Sequence, residues 1–166
     1  YDSNLYERED ARRYEDPVVS HEYEPGSVFK VITMAAGLDS GAVTAESTFE
    51  DTGSFEIAGV TVRNWDGSAH GLVTMTEVLT LSLNTGAAHV SATLGPERFY
   101  EYVAAFGFGQ QTGIDLQAEV GGQVKAPGDG RWYEADLATN AFGQGIAVSP
   151  LRVVSAVAAI ANDGLL

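Results

Sequence analysis

Residues 24–41 read Glu-Pro-Gly-Ser-Val-Phe-Lys-Val-Ile-Thr-Met-Ala-Ala-Gly-Leu-Asp-Ser-Gly, and the fold is read outward from them. Val28, Phe29, Val31, Ile32, Met34, Ala35, Ala36 and Leu38 cover nearly the whole circumference of a helix over 27–40. A helix apolar all round is a buried helix. Pro25-Gly26 breaks the chain before it, and Gly41 suits its C-terminal stop. Lys30 therefore lies on a helix with almost no polar face. A buried lysine needs a partner or a function.

Ser27 stands three residues before Lys30, which puts both side chains on one helical face. A serine hydroxyl is a weak nucleophile until a base takes its proton. A lysine can be that base only when its amine is neutral, and burial and the positive end of a helix dipole both favour the neutral form. A free N–H in the first helical turn can donate to an oxyanion. With 11 serines and two lysines in 166 residues, however, the spacing alone arises readily by chance. A capping serine followed by a snorkelling lysine satisfies it equally well. Ser82-Leu83-Asn84 adds an alcohol and an amide at the junction of two expected helices, the groups that relay protons and grip a substrate amide.

The remaining pattern is mainly helical. A surface helix is expected over Glu7–Tyr14, ended by Pro17. Alternating Phe55, Ile57, Val60 and Val62 around Ala58-Gly59 predict a small β-hairpin over 54–63. Helices are expected after Thr74 or Thr76, from about Thr85 to Leu94, after Gly95-Pro96, over 134–142, and after Ser149-Pro150 to the stop at Asn162-Asp163-Gly164. Residues 107–131 are glycine-rich and read as loops with short extended pieces. No linker or internal repeat breaks the chain, so one domain is expected over residues 1–166.

Composition limits the function. The formal net charge is -14 at pH 7, which disfavours nucleic acid and anionic membrane surfaces as partners. The chain has no cysteine, so thiolate catalysis and Cys-based zinc sites are excluded. His21, His70 and His89 lack ligand-like spacing, and neither metal nor cofactor is expected. The glycines at 107, 109 and 113 have the wrong spacing for a dinucleotide loop. The acidic pairs Glu9-Asp10 and Glu50-Asp51 are expected to be solvated, and Trp65, Trp132 and the tyrosines to pack in the core or loops, with the lining of a groove as the alternative. No run of 18 apolar residues and no signal peptide occurs, and the opening at Tyr1 suggests a piece of a longer protein.

The run Glu24-Pro25-Gly26-Ser27-Val28-Phe29-Lys30 resembles the nucleophile motif of penicillin-binding proteins, and Ser82-Leu83-Asn84-Thr85-Gly86 resembles their second motif. Asn64-Trp65-Asp66-Gly67 with His70-Gly71, Phe106-Gly107-Phe108-Gly109 with Thr112-Gly113, and Phe142-Gly143-Gln144-Gly145 before Ser149-Pro150-Leu151 look like the class B, monofunctional D,D-transpeptidases. The likeness covers about residues 15–166. It departs in one place: the third motif, Lys-Thr-Gly, is absent, and Lys125 is followed by Ala126-Pro127.

The resemblance implies the helical portion of the α+β transpeptidase fold, mainly α with a small β-hairpin and with the central sheet largely missing. It implies Ser27 as nucleophile, Lys30 as base, Ser82 as proton relay and Asn84 as holder of Lys30 and the substrate amide. The implied partners are the D-Ala-D-Ala stem peptide of peptidoglycan and β-lactams, and the parent is expected to be membrane-anchored, with its catalytic domain outside the cytoplasm and cell-wall synthesis partners. A β-lactam sensor and a β-lactamase share the motif and remain alternatives; Asn84 favours the transpeptidase over the oxacillinase type. A helical interaction domain in which Ser27 and Lys30 are only structural is the non-enzymatic alternative.

Overall fold

A computed structural model describes residues 3–8 and 15–166. The buried helix expected from 27 to 40 forms in two parts. Gly26–Phe29 is a 3-10 turn, and α2 (Lys30–Asp39) continues it, so Lys30 is the first residue of the α-helix proper. Most of the helix expected over Glu7–Tyr14 lies outside the described residues; Ser3–Arg8 is 3-10. Pro17 begins a helix. Its ring fixes φ at a helical value and removes an N–H that has no partner in a first turn. In α1 (Pro17–Ser20) it is capped by Asp16, whose carboxylate accepts the Val18 N–H.

Four short strands form two antiparallel ribbons. β2 (Ser54–Ile57) and β3 (Val60–Arg63) are the expected hairpin. β1 (Thr48–Asp51) pairs with β4 (Gly71–Thr74), from Thr48 opposite Thr74 to Asp51 opposite Gly71, and encloses that hairpin. Thr74 then caps α3 (Met75–Thr80) in a capping box with Glu77.

The remaining helices are α4 (Asn84–Leu94), α5 (Pro96–Ala105), α6 (Glu134–Asn140) and α7 (Pro150–Ala161). α4 lies at the centre, packed by α2, α3, α5 and α6 and by the ribbons. Its residues suit that place: Thr85, Gly86, Ala87, Ala88, Val90, Ser91 and Leu94 are all buried. One contiguous core links Phe29, Ile32, Leu83, Val90, Phe99, Phe108, Leu137 and Ile146. Phe29, in the Gly26–Phe29 turn, packs on Phe108 at 4.9 Å between ring centres. His89, half-buried, stacks on Phe49 at 4.6 Å, and desolvation lowers its pKa. The outer face of α7 leaves Val154, Val157 and Ile160 exposed.

α3 approaches α4 closely because Gly86 has no side chain. A β-carbon there would lie 2.5 Å from both methyls of Val78, itself 1% exposed. Overpacking of this kind costs about 1–3 kcal/mol. Gly86→Ala is therefore expected to lower the urea-unfolding free energy by about 2 kcal/mol, whereas an alanine at exposed Thr76 should change it by less than about 0.5 kcal/mol.

Candidate active site

Ser27 sits in the Gly26–Phe29 turn that leads into α2, exposed, while its neighbours Phe29 and Lys30 are buried. Among the described residues neither its N–H nor its Oγ has a hydrogen-bond partner. The turn is pressed into shape from the other side. Gly26 N–H donates to Gly143 O at 3.0 Å, and a β-carbon on Gly143 would lie 2.2 Å from Gly26 O. Only glycine allows this approach, and Gly143 also has φ +76°.

Lys30 is 2% exposed. Its Nζ donates to Ser82 O at 2.6 Å and to Ser82 Oγ at 3.0 Å. Among the described residues no carboxylate pairs with it. Burial without a counter-charge lowers its pKa from 10.5 to about 8. A neutral amine has two N–H bonds and one lone pair. Two N–H groups go to Ser82, and among the described residues no hydrogen bond joins Lys30 Nζ to Ser27 Oγ.

Both oxygens of Ser82 reach Lys30 because of the way α3 ends. Ser82 has φ +55°, a left-handed conformation that is costly for any residue but glycine. Ser82 N–H donates to Leu79 O and Leu83 N–H to Val78 O, the paired bonds of a Schellman helix end, in which glycine is usual at this position. A serine here accepts strain of about 1 kcal/mol in return for a hydroxyl beside the Lys30 amine.

Asn84 opens α4 and is half-buried. Its Nδ2 donates to Arg63 O at 2.9 Å, at the end of the hairpin, and it makes no bond to Lys30. Ser82, not Asn84, holds the lysine in this structure. The Asn84 Oδ1 has no partner among the described residues and can accept from a ligand N–H.

The expectation that Glu50 and Asp51 are both solvated holds only for Glu50. Asp51 is 1% exposed, and its carboxylate accepts four bonds: Gly53 N–H (3.0 Å) and Thr85 O–H (2.8 Å) on Oδ1, Asn64 Nδ2–H (2.7 Å) and His70 N–H (3.1 Å) on Oδ2. Thr85 N–H donates in turn to Asn64 Oδ1 at 3.3 Å. A carboxylate can be buried without a cation when its oxygens are saturated by donors. This knot ties the start of α4, and so Asn84, to both ribbons. One signal for it was in the sequence. Phe49 and Asp51 alternate on β1, so an inward Phe49 places Asp51 inward too. The other aromatic expectation is half right: Trp132 packs against the core, but Trp65 is 77% exposed, at the loop beside Asn64. No group of three metal-ligating side chains occurs among the described residues.

The family model of the penicillin binding protein transpeptidase domain matches residues 1–166. The chain belongs to that family. It is 44% identical over 145 residues to stage V sporulation protein D of Bacillus subtilis, covering 87% of this chain and 22% of that protein. It is 35% identical over 160 residues to penicillin-binding protein PbpB of Mycobacterium tuberculosis, covering 95% of this chain and 23% of that one. Among solved structures it resembles penicillin binding protein 3 of M. tuberculosis complexed with aztreonam (TM-score 0.83, 34% identity, 95% of this chain and 36% of that chain). It also resembles Pseudomonas aeruginosa PBP2 in complex with WCK 5153 (TM-score 0.86, 27% identity, 98% and 38%). The chain thus spans about a quarter of the curated relatives. Its helices and ribbons are a partial penicillin-binding transpeptidase fold, and the described residues include no sheet wider than two strands.

The Ser82 geometry gives a direct test. Ser82→Gly and Ser82→Ala both remove the hydroxyl, but only glycine relieves the left-handed strain. Ser82→Gly is expected to be the more stable of the two by about 1 kcal/mol in chemical denaturation. Equal stabilities would mean that the position is unstrained.

Proposed function

We propose that this chain is one unit of a serine-type D,D-transpeptidase that cross-links peptidoglycan through an acyl-enzyme and is acylated by β-lactams at Ser27. The observation that carries the reading is the Lys30 amine, buried, unpaired with any carboxylate among the described residues and held by both oxygens of Ser82.

In the proposed reaction Ser27 Oγ attacks the carbonyl carbon of the penultimate D-Ala, and its proton passes to neutral Lys30. The Ser27 N–H, free of other partners, donates to the oxyanion. Collapse of the tetrahedral intermediate breaks the C–N bond. The terminal D-Ala leaves as an amine, its proton delivered from Lys30 through Ser82. Asn84 Oδ1 accepts from the substrate amide. An amine of a second stem peptide then attacks the Ser27 ester, forms the cross-link and returns the serine.

A second oxyanion donor and the Lys-Thr-Gly strand would come from outside residues 1–166. One such donor is worth about 3 kcal/mol, so the isolated chain should be close to inert. We place the parent at the cell membrane with this unit outside the cytoplasm; no helix of the described residues is long and apolar enough to span a bilayer. The exposed face of α7 would be covered in the parent.

The test is intact-mass and peptide mapping after incubation with penicillin. In the longer polypeptide one adduct is expected, on Ser27, and Ser27→Ala should abolish it. Its rate should rise as pH increases toward about 8, where Lys30 loses its proton, and level off above. The isolated chain should label at least about 100-fold more slowly. Rapid stoichiometric labelling of the isolated chain would contradict its incompleteness. An unlabelled parent, or an adduct on another residue, would contradict the acyl-enzyme reading.

A further inference from the structure

Residues 141–145 are stitched to the nucleophile segment at every second residue. Thr33 Oγ1 donates to Ala141 O (2.7 Å), Gly26 N–H donates to Gly143 O (3.0 Å), and Gly145 N–H donates to Glu24 Oε1 (2.8 Å). The turn that carries these contacts is closed onto the end of α6 by Gly143 N–H donating to Asn140 O (3.0 Å) and Gln144 N–H donating to Thr139 O (3.0 Å).

A buried side chain adds a further hold on the Gln144 carbonyl. Asn140 is 1% exposed, and with its side-chain amide assigned so that each atom meets a complementary partner, Nδ2 donates to Gln144 O (2.8 Å) and to Asp136 O (3.3 Å) and Oδ1 accepts the Tyr100 O–H (2.8 Å). The Tyr100 oxygen accepts Trp132 Nε1–H at 3.0 Å. Tyr100 is 6% exposed, and burial pushes its pKa up to about 12, so it keeps its proton for Asn140 throughout the neutral range. The hydrogen bonds thus run in one direction, Trp132 to Tyr100 to Asn140 to the Gln144 carbonyl. From there the Gly143 contact passes to Gly26 and Ser27.

We propose that Tyr100 and Asn140 are positioning residues for the nucleophile, fixing the Gly143–Gly145 turn that in turn fixes the Gly26–Ser27 peptide. This rests on reading Ser27 as the acyl acceptor. Neither side chain touches a reacting group, so their effect should be local to that turn.

Amide hydrogen exchange of the 166-residue chain, followed by NMR, tests the proposal without requiring activity. Tyr100→Phe removes the O–H and leaves both Asn140 Oδ1 and Trp132 Nε1 unpaired. It is expected to speed exchange of the Gly26 amide about tenfold, while the Val90 amide in α4 stays within about twofold. Equal acceleration of both amides would show only general destabilisation and would overturn the proposal, as would an unchanged Gly26. Should Tyr100→Phe fail to fold, Trp132→Phe removes only the outermost bond, and the same selective loss at Gly26 is expected from it, by about threefold. If acylation of Ser27 were never seen but the exchange result held, the functional reading would fail and the positioning would stand.

Discussion

The arrangement depends on one contact, the Lys30 amine held by the carbonyl and hydroxyl oxygens of Ser82. It joins two segments 52 residues apart, and it does so inside the protein, where an ammonium without a carboxylate is costly. The cost is met by lowering the pKa rather than by adding a counter-charge. A paired carboxylate would have stabilised the protonated form. The absence of an acidic partner among the described residues, in a chain with 23 acids and 9 bases, is thus what the proposed role of Lys30 as a base requires.

The rest of the fold can be understood as holding the two ends of that contact still. At the Ser82 end, α3 stops in a Schellman turn, with serine accepting a conformation suited to glycine. The Asp51 carboxylate then locks the first turn of α4 to the ribbons through Thr85 and Asn64. At the Lys30 end, Phe29 is driven into the core beside Phe108, and Gly143 bears on Gly26 from the opposite side. The two supports use different physics. One saturates a buried charge with donors; the other removes a side chain so that two backbones can touch.

The helical framework was legible because its signals are local. The all-round apolar run before Gly41, the Ser149-Pro150 start of α7 and the Gly95-Pro96 break each act within a turn or two of chain. The approach of Ser82 to Lys30 was foreshadowed by the apolar setting of Lys30, which calls for a polar partner. What stayed hidden depends on partners distant in sequence. β1 and β4 are four residues each, and each finds its only ladder about 20 residues away. Asp51 reads as a surface acid until the donors from Thr85, Asn64 and His70 are placed around it. The Asn84 amide could not be assigned between Lys30 and the backbone until the hairpin brought Arg63 to it. That Pro17 opens α1 was not read from the sequence, because the same residue both ends and begins helices, and the cap by Asp16 marks the start.

The account stands or falls on the charge state of Lys30 in the folded chain. A titration of its Cε and Nζ resonances by NMR measures this directly. The account predicts a midpoint near pH 8. A midpoint at the ordinary lysine value of about 10.4 would show a solvated ammonium and would contradict it.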